Sequence, residues 1–159
     1  MVTLGISTNT RLIGLAIINH HNALEDYSIH LHKSSWSPSK ANMIVTSSLE
    51  PCARQYCINQ VILSRPHEYH QTERYKQLVS HIKEYFDGKK IPVYEKPASA
   101  FHSLCPPEQK KTKKALMQAL TLQYPQLTLC YHKELRNKKR YYIKVFEAVA
   151  VAALHEQEN

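Results

Sequence analysis

Three apolar runs crowded into the first 31 residues, followed by an alternation of helix-like and strand-like segments, constrain the fold more than any other feature. Val2–Ile6 is short and rich in β-branched residues, so it reads as a buried strand. The polar stretch Ser7-Thr8-Asn9-Thr10 reads as a turn. Leu12–Ile18 is apolar again. After a break at His20-His21-Asn22, Tyr27, Ile29 and Leu31 alternate with Ser28, His30 and His32, the period of a half-exposed strand. Three consecutive strands with short connections make an antiparallel meander.

Beyond Ser37-Pro38-Ser39 the period becomes helical. Met43, Ile44, Leu49, Ala53, Tyr56 and Cys57 predict a helix as far as Ile58, kinked or divided at Pro51. Val61-Ile62-Leu63 predicts a fourth strand. Thr72–Phe86 predicts a helix stopped by Gly88, and Ile91–Tyr94 a fifth strand. Lys111–Leu122 predicts a helix that ends at Tyr124-Pro125. Thr128–Arg140 is basic and fits neither period. Tyr142–Glu156 predicts a final helix. The order β-β-β-α-β-α-β-α-α implies right-handed parallel crossovers after the meander.

A length of 159 residues with 43% hydrophobic content suits one domain spanning 1–159 with one core. Three glycines argue against a Gly-rich phosphate loop. No apolar run is long enough to span a membrane, and the start lacks the pattern of a signal peptide, so the expected location is cytoplasmic. The formal net charge of +8 favours an acidic partner, above all nucleic acid. Cys52, Cys57, Cys105 and Cys130 form no C-x-x-C pair, which excludes the strong zinc spacing and predicts buried thiols.

The element order is that of the RNase H-like fold: α/β, a mixed five-stranded sheet carrying the antiparallel meander, with helices on both faces. Within it the sequence resembles the RuvC-type Holliday junction resolvases. Gly5-Ile6-Ser7-Thr8-Asn9-Thr10-Arg11-Leu12-Ile13-Gly14 matches that family's opening frame of strand, Gly-Ile-Asp, turn, Arg and second strand, with Ser7 in place of the Asp. Pro92-Val93-Tyr94-Glu95 resembles its fifth strand. Glu147–His155 resembles its last helix, where an acid precedes small and apolar residues and then His. The resemblance spans nearly the whole chain.

It implies a phosphodiesterase centre with two Mg²⁺ ions held by carboxylates. Carried over residue by residue, the acid positions fall on Ser7, Ser64, Lys144 and Glu147. Glu147 alone keeps a carboxylate, and Lys144 and Arg65 bring positive charge to the same place. Such a set suits Mg²⁺ poorly, so the resemblance implies a degenerate pseudo-nuclease that needs no cofactor, or Mg²⁺ or Mn²⁺ if it is active. Glu95, Glu68, His67 and His70 are the residues that could rebuild a site, since two His three apart on a helix can hold a transition metal. As the single charge between Lys144 and Glu156, Glu147 faces solvent or pairs with Lys144 or Arg11, or is a relic ligand.

Two basic clusters suit nucleic acid. Lys110, Lys111, Lys113 and Lys114 surround a helix N-terminus, where lysines oppose the helix dipole but would attract a phosphate. Arg136, Lys138, Lys139 and Arg140, with Lys133, precede Tyr141-Tyr142, a pairing of cations and aromatics that suits backbone contacts and base stacking. Arg11 joins them through the resemblance. Three functions follow: a RuvC-like module that binds structured DNA or RNA without cutting; a divergent metal-dependent endonuclease of resolvase or transposase type; and a partner-binding scaffold. A homodimer fits all three. An actin-like ATPase ranks last, since the chain lacks a second lobe and a Gly-rich turn.

Overall fold

The computed structural model describes residues 1–33 and 36–158. The predicted strands form in order as β1 (Val2–Thr8), β2 (Leu12–Asn19), β3 (Leu24–Leu31), β4 (Gln60–Arg65) and β5 (Val93–Pro97). They make one sheet in the order β3-β2-β1-β4-β5. β1–β2 and β2–β3 are antiparallel, while β1–β4 and β4–β5 are parallel. β1 and β2 are buried along nearly their whole length, which explains their continuous apolar text, whereas the alternating β3 lies at an edge and is only part-covered.

Helices cover both faces. On one side α1 (Ala41–Gln55) and α2 (Glu73–Gly88) pack on Leu4, Ile6, Ile13, Leu15, Ile17, Val61 and Leu63. The opposite face carries α5 (Ile143–Glu158), with α3 (Lys113–Gln123) and α4 (Thr128–Arg136) around it. α5 lies unusually close to the sheet. A Cβ added to Gly5 would sit 2.0 Å from the Ala148 carbonyl oxygen, and one added to Gly14 2.3 Å from that of Lys144. Two of the three glycines in the chain are therefore fixed by this approach of backbone to backbone. The run Ala148–Ala153, fully buried, supplies the matching small side chains.

Several local expectations are corrected. Pro51 neither divides nor ends α1, because Ile44, Val45 and Leu49 are buried against the sheet and hold the helix one more turn, to Gln55. Gly88 is the last residue of α2 rather than its left-handed stop; Lys90 takes that conformation at φ 59. The ambiguous stretch after Pro125 contains α4, and a 3₁₀ segment, Ala98–Leu104, follows β5. Of the four free cysteines, Cys105 and Cys130 are buried as expected, but Cys57 is exposed and Cys52 part-exposed. Among the described residues no helix is long and apolar enough to cross a membrane.

Candidate nucleic-acid interface

The C-terminal ends of β1 and β4 meet the first turn of α5. Gly5 faces α5, so its alternation partner Ser7 does too, and Ser7 pairs with Gly14 directly beneath the Lys144 backbone. On β4, Ile62 packs on the α5 side and Leu63 on the other, so Ser64 also faces α5. Ser7 and Ser64 are 2% and 4% exposed. Above them Glu147 is buried and its Oε1 lies 3.0 Å from Lys144 Nζ. That contact is an ion pair without hydrogen-bond alignment, and Oε1 has no aligned donor. Of the fates open to Glu147, solvent and Arg11 are excluded in favour of Lys144.

Glu95 does not join this group. Its pairing with Leu63 puts it on the α1–α2 face, where it binds Lys83 on α2 at 2.6 Å and Arg65 at 3.7 Å. Arg65 is thus committed on that face as well. His67 accepts a hydrogen bond from the Tyr69 backbone N–H through Nδ1 and stacks on the Tyr69 ring in an exposed 3₁₀ turn with Glu68 and His70. Among the described residues no group of three or more His, Cys, Asp or Glu side chains could hold a metal ion.

The second basic cluster forms a cleft of about 500 Å³. Arg11, from the β1–β2 turn, faces Lys133 and Arg136 on α4 and Lys138, Lys139 and Arg140 in the segment that leads to α5. All six of these cations are exposed, and Tyr141 and Tyr142 line the same cleft. The segment is held by Glu134, which sequence reasoning passes over. This buried carboxylate accepts hydrogen bonds from the backbone N–H groups of Tyr141, Tyr142 and Ile143 at 2.8–3.1 Å, and from Asn137 Nδ2 at 3.3 Å. It thereby satisfies the orphan donors at the start of α5 with a charge of the favourable sign.

The first cluster divides. Thr112 caps α3, its Oγ1 accepting from the Ala115 N–H at 3.1 Å. Lys111 turns its ammonium back onto the carbonyls of Cys105 and Pro106, at 3.4 and 3.0 Å, and so ties down a loop. Lys113 lines a second cleft of about 310 Å³ together with Glu147. Partial burial lowers the Lys113 pKa, with Arg140 and Lys144 adding to the shift and Glu147 and Glu134 opposing it. Lys110 and Lys114 are exposed and line neither cleft. Of the first cluster, Lys113 stands close enough to Arg140 and Lys144 for their charges to act on it.

No family's sequence profile matches the chain, and no curated protein matches it. Solved structures do. Thermus thermophilus RuvC in complex with a Holliday junction substrate superimposes with a TM-score of 0.73 at 13% identity, over 98% of this chain and 92% of that one. The fowlpox virus resolvase with Holliday junction DNA gives 0.61 at 12%, over 99% and 98%. The chain has the RuvC-like fold. A yeast mitochondrial Holliday junction resolvase agrees, with a TM-score of 0.62 at 10% identity over 97% of this chain and 78% of that one. The mixed sheet with its meander and two-sided helices is the RuvC-like, RNase H-like architecture predicted from the element order.

This fold implies a divalent-metal centre where β1, β4 and α5 converge. The residues here do not fit one. Mg²⁺ requires several hard oxygen donors with negative charge, whereas this position offers two buried hydroxyls and one carboxylate already paired with an ammonium. Bringing in a dication would set it against the Lys144 ammonium.

Proposed function

We propose that this protein is a RuvC-like module that binds structured DNA through the basic surface around the N-terminus of α5 and does not cut it. The observation that carries this reading is the open cleft lined by six exposed cations, beside a centre whose cation is the protein's own Lys144 ammonium. Phosphates would be drawn to Arg11, Lys133, Arg136, Lys138, Lys139 and Arg140, and Tyr141 or Tyr142 could take a stacking contact. The structures it is similar to include two solved with Holliday junction DNA, which favours branched DNA as the ligand to try first. The reading places the protein in the cytoplasm, and a homodimer would match the two-fold symmetry of a four-way junction.

The test is a gel shift with a labelled four-way junction against duplex and single-stranded competitors, in EDTA. The expected result is a shift that the junction competes away better than duplex. Absence of any shift at low salt would refute the reading.

A second reading, a divergent endonuclease using Glu147 with Mg²⁺ or Mn²⁺, is favoured only by the retained carboxylate. The other acids named for it lie elsewhere: Glu95 is on the opposite face of the sheet and bound to Lys83 and Arg65.

A further inference from the structure

The basic cleft carries more than charge. Tyr27, Ile29 and Leu31 share one face of β3, and the first two pack against the core under α5. Leu31 continues their row past that cover and stands 54% exposed on the cleft wall, paired across the ladder with Leu12, which lines the same cleft. A single exposed leucine is ordinary, but this one shares its cleft with two tyrosines. Tyr142 packs against the core and has the Lys133 ammonium 6.0 Å from its ring centre. Tyr141 is half-buried and belongs to neither core cluster; its ring meets that of Tyr142 at 85°, with centres 4.8 Å apart. Its backbone N–H is held by both oxygens of Glu134 at 3.1 Å, so the ring is presented from a fixed segment.

Paired DNA offers a surface cleft only its sugar–phosphate backbone and groove edges, and the cations alone suffice for phosphates. An exposed leucine and a tyrosine ring among those cations match something else: the flat apolar face of a base that is not stacked in a helix. The size agrees. At about 500 Å³ the cleft lies within the range for small-molecule sites, roughly 300–1,000 Å³, which has room for a nucleotide or two and none for a double helix. We propose that the cleft seats an unpaired stretch of a DNA strand, with a base against Tyr141 and Leu31 and the flanking phosphates on the surrounding cations. The protein then selects DNA with unpaired nucleotides, at a branch point or a tail, over fully paired DNA of the same charge. This inference rests on the nucleic-acid-binding reading and narrows its substrate class.

The experiment is fluorescence anisotropy of the full chain, in EDTA at low salt, with three labelled probes of equal phosphate number. One is a blunt duplex, one a duplex with a short thymidine tail, and one the same duplex with a tail of abasic residues. The abasic tail keeps the charge and flexibility of a single strand and removes only the bases. One stacked base predicts that the thymidine tail binds about tenfold tighter than the abasic tail, from either strand end. Tyr141→Ser should close that gap, Tyr141→Phe should keep it, and Leu31→Ser, at an exposed position, should narrow it. Equal binding of the two tailed probes by the wild-type chain, or a gap that survives both Tyr141→Ser and Leu31→Ser, would overturn the proposal. The two proposals fail distinguishably. Binding of all three probes without a gap sinks the unpaired-strand site and leaves the nucleic-acid reading standing, whereas no binding of any probe sinks both.

Discussion

Raising salt should weaken junction binding by an amount set by the basic cleft. Six cationic side chains line it: Arg11, Lys133, Arg136, Lys138, Lys139 and Arg140. Each cation that neutralises a phosphate of duplex DNA releases condensed counterions and contributes about −0.9 to the slope of log K against log salt. If all six engage, the slope is about −5, and affinity falls about a thousandfold between roughly 50 and 200 mM salt. Exposure of the six matters to the number, since none needs desolvation by the protein before meeting a phosphate. Replacing Arg136 and Lys139 by Ala should flatten the slope by about 2, at little cost in fold stability for exposed positions. The assay is fluorescence anisotropy of a labelled four-way junction at several salt concentrations, for the wild-type chain and the double variant. A wild-type slope near zero, or a slope unchanged in the variant, would refute the assignment of the cleft to phosphates.

Gly5→Ala should destabilise the chain by at least about 3 kcal/mol, above the usual cost of overpacking, because the added methyl meets the Ala148 backbone at 2.0 Å rather than a movable side chain; denaturant unfolding reads this, and a change below about 1 kcal/mol would contradict the packing of α5. Glu134→Ala leaves three backbone N–H groups and Asn137 Nδ2 without their acceptor, so it should cost about 2 kcal/mol and speed amide exchange at Tyr141, Tyr142 and Ile143; unchanged exchange there would contradict the clamp. Burial lowers the pKa of His30, and burial together with its neighbour His30 lowers that of His32. The unfolded chain then binds more protons, so stability is present above the ordinary histidine value of 6.5 and is lost as pH falls below it. The double variant His30→Gln, His32→Gln should flatten the decline in melting temperature between about pH 6.5 and 5.

The fold was legible because its core strands write their burial directly into the text. Leu12–Ile18 is a continuous apolar run and Val2–Ile6 one broken only by Thr3, since both of their faces are covered, and β3 alternates since it lies at an edge. α4 escaped because its inward face is nearly polar: only Cys130 and Glu134 are buried, and a Glu at a core position breaks the apolar stripe that periodicity looks for. The spacing Leu127, Cys130, Glu134 carries the signal once a carboxylate is allowed to count as inward. Gly5 and Gly14, glycines inside strands, were an available sign of close backbone approach.

In the site, the positions Ser7, Ser64, Lys144 and Glu147 could be named from the sequence, and the i, i+3 spacing made a Lys144–Glu147 pair one of the fates open to that carboxylate. The face occupied by Glu95 could not. It depends on the β4–β5 register, where a shift of one residue reverses the direction of every side chain. Which lysine of 110–114 approaches the other basic cluster was equally hidden, because Lys111 folds back on the nearby carbonyls of Cys105 and Pro106 while Lys113 is set near Arg140 and Lys144 by the tertiary fold.

The most direct test of the central claim is cleavage. A labelled four-way junction is incubated with the protein in EDTA, in Mg²⁺ and in Mn²⁺, and read on native and denaturing gels. Binding without cutting predicts the same junction shift in all three and intact strands throughout. Metal-dependent strand scission that disappears in Glu147→Gln would contradict it.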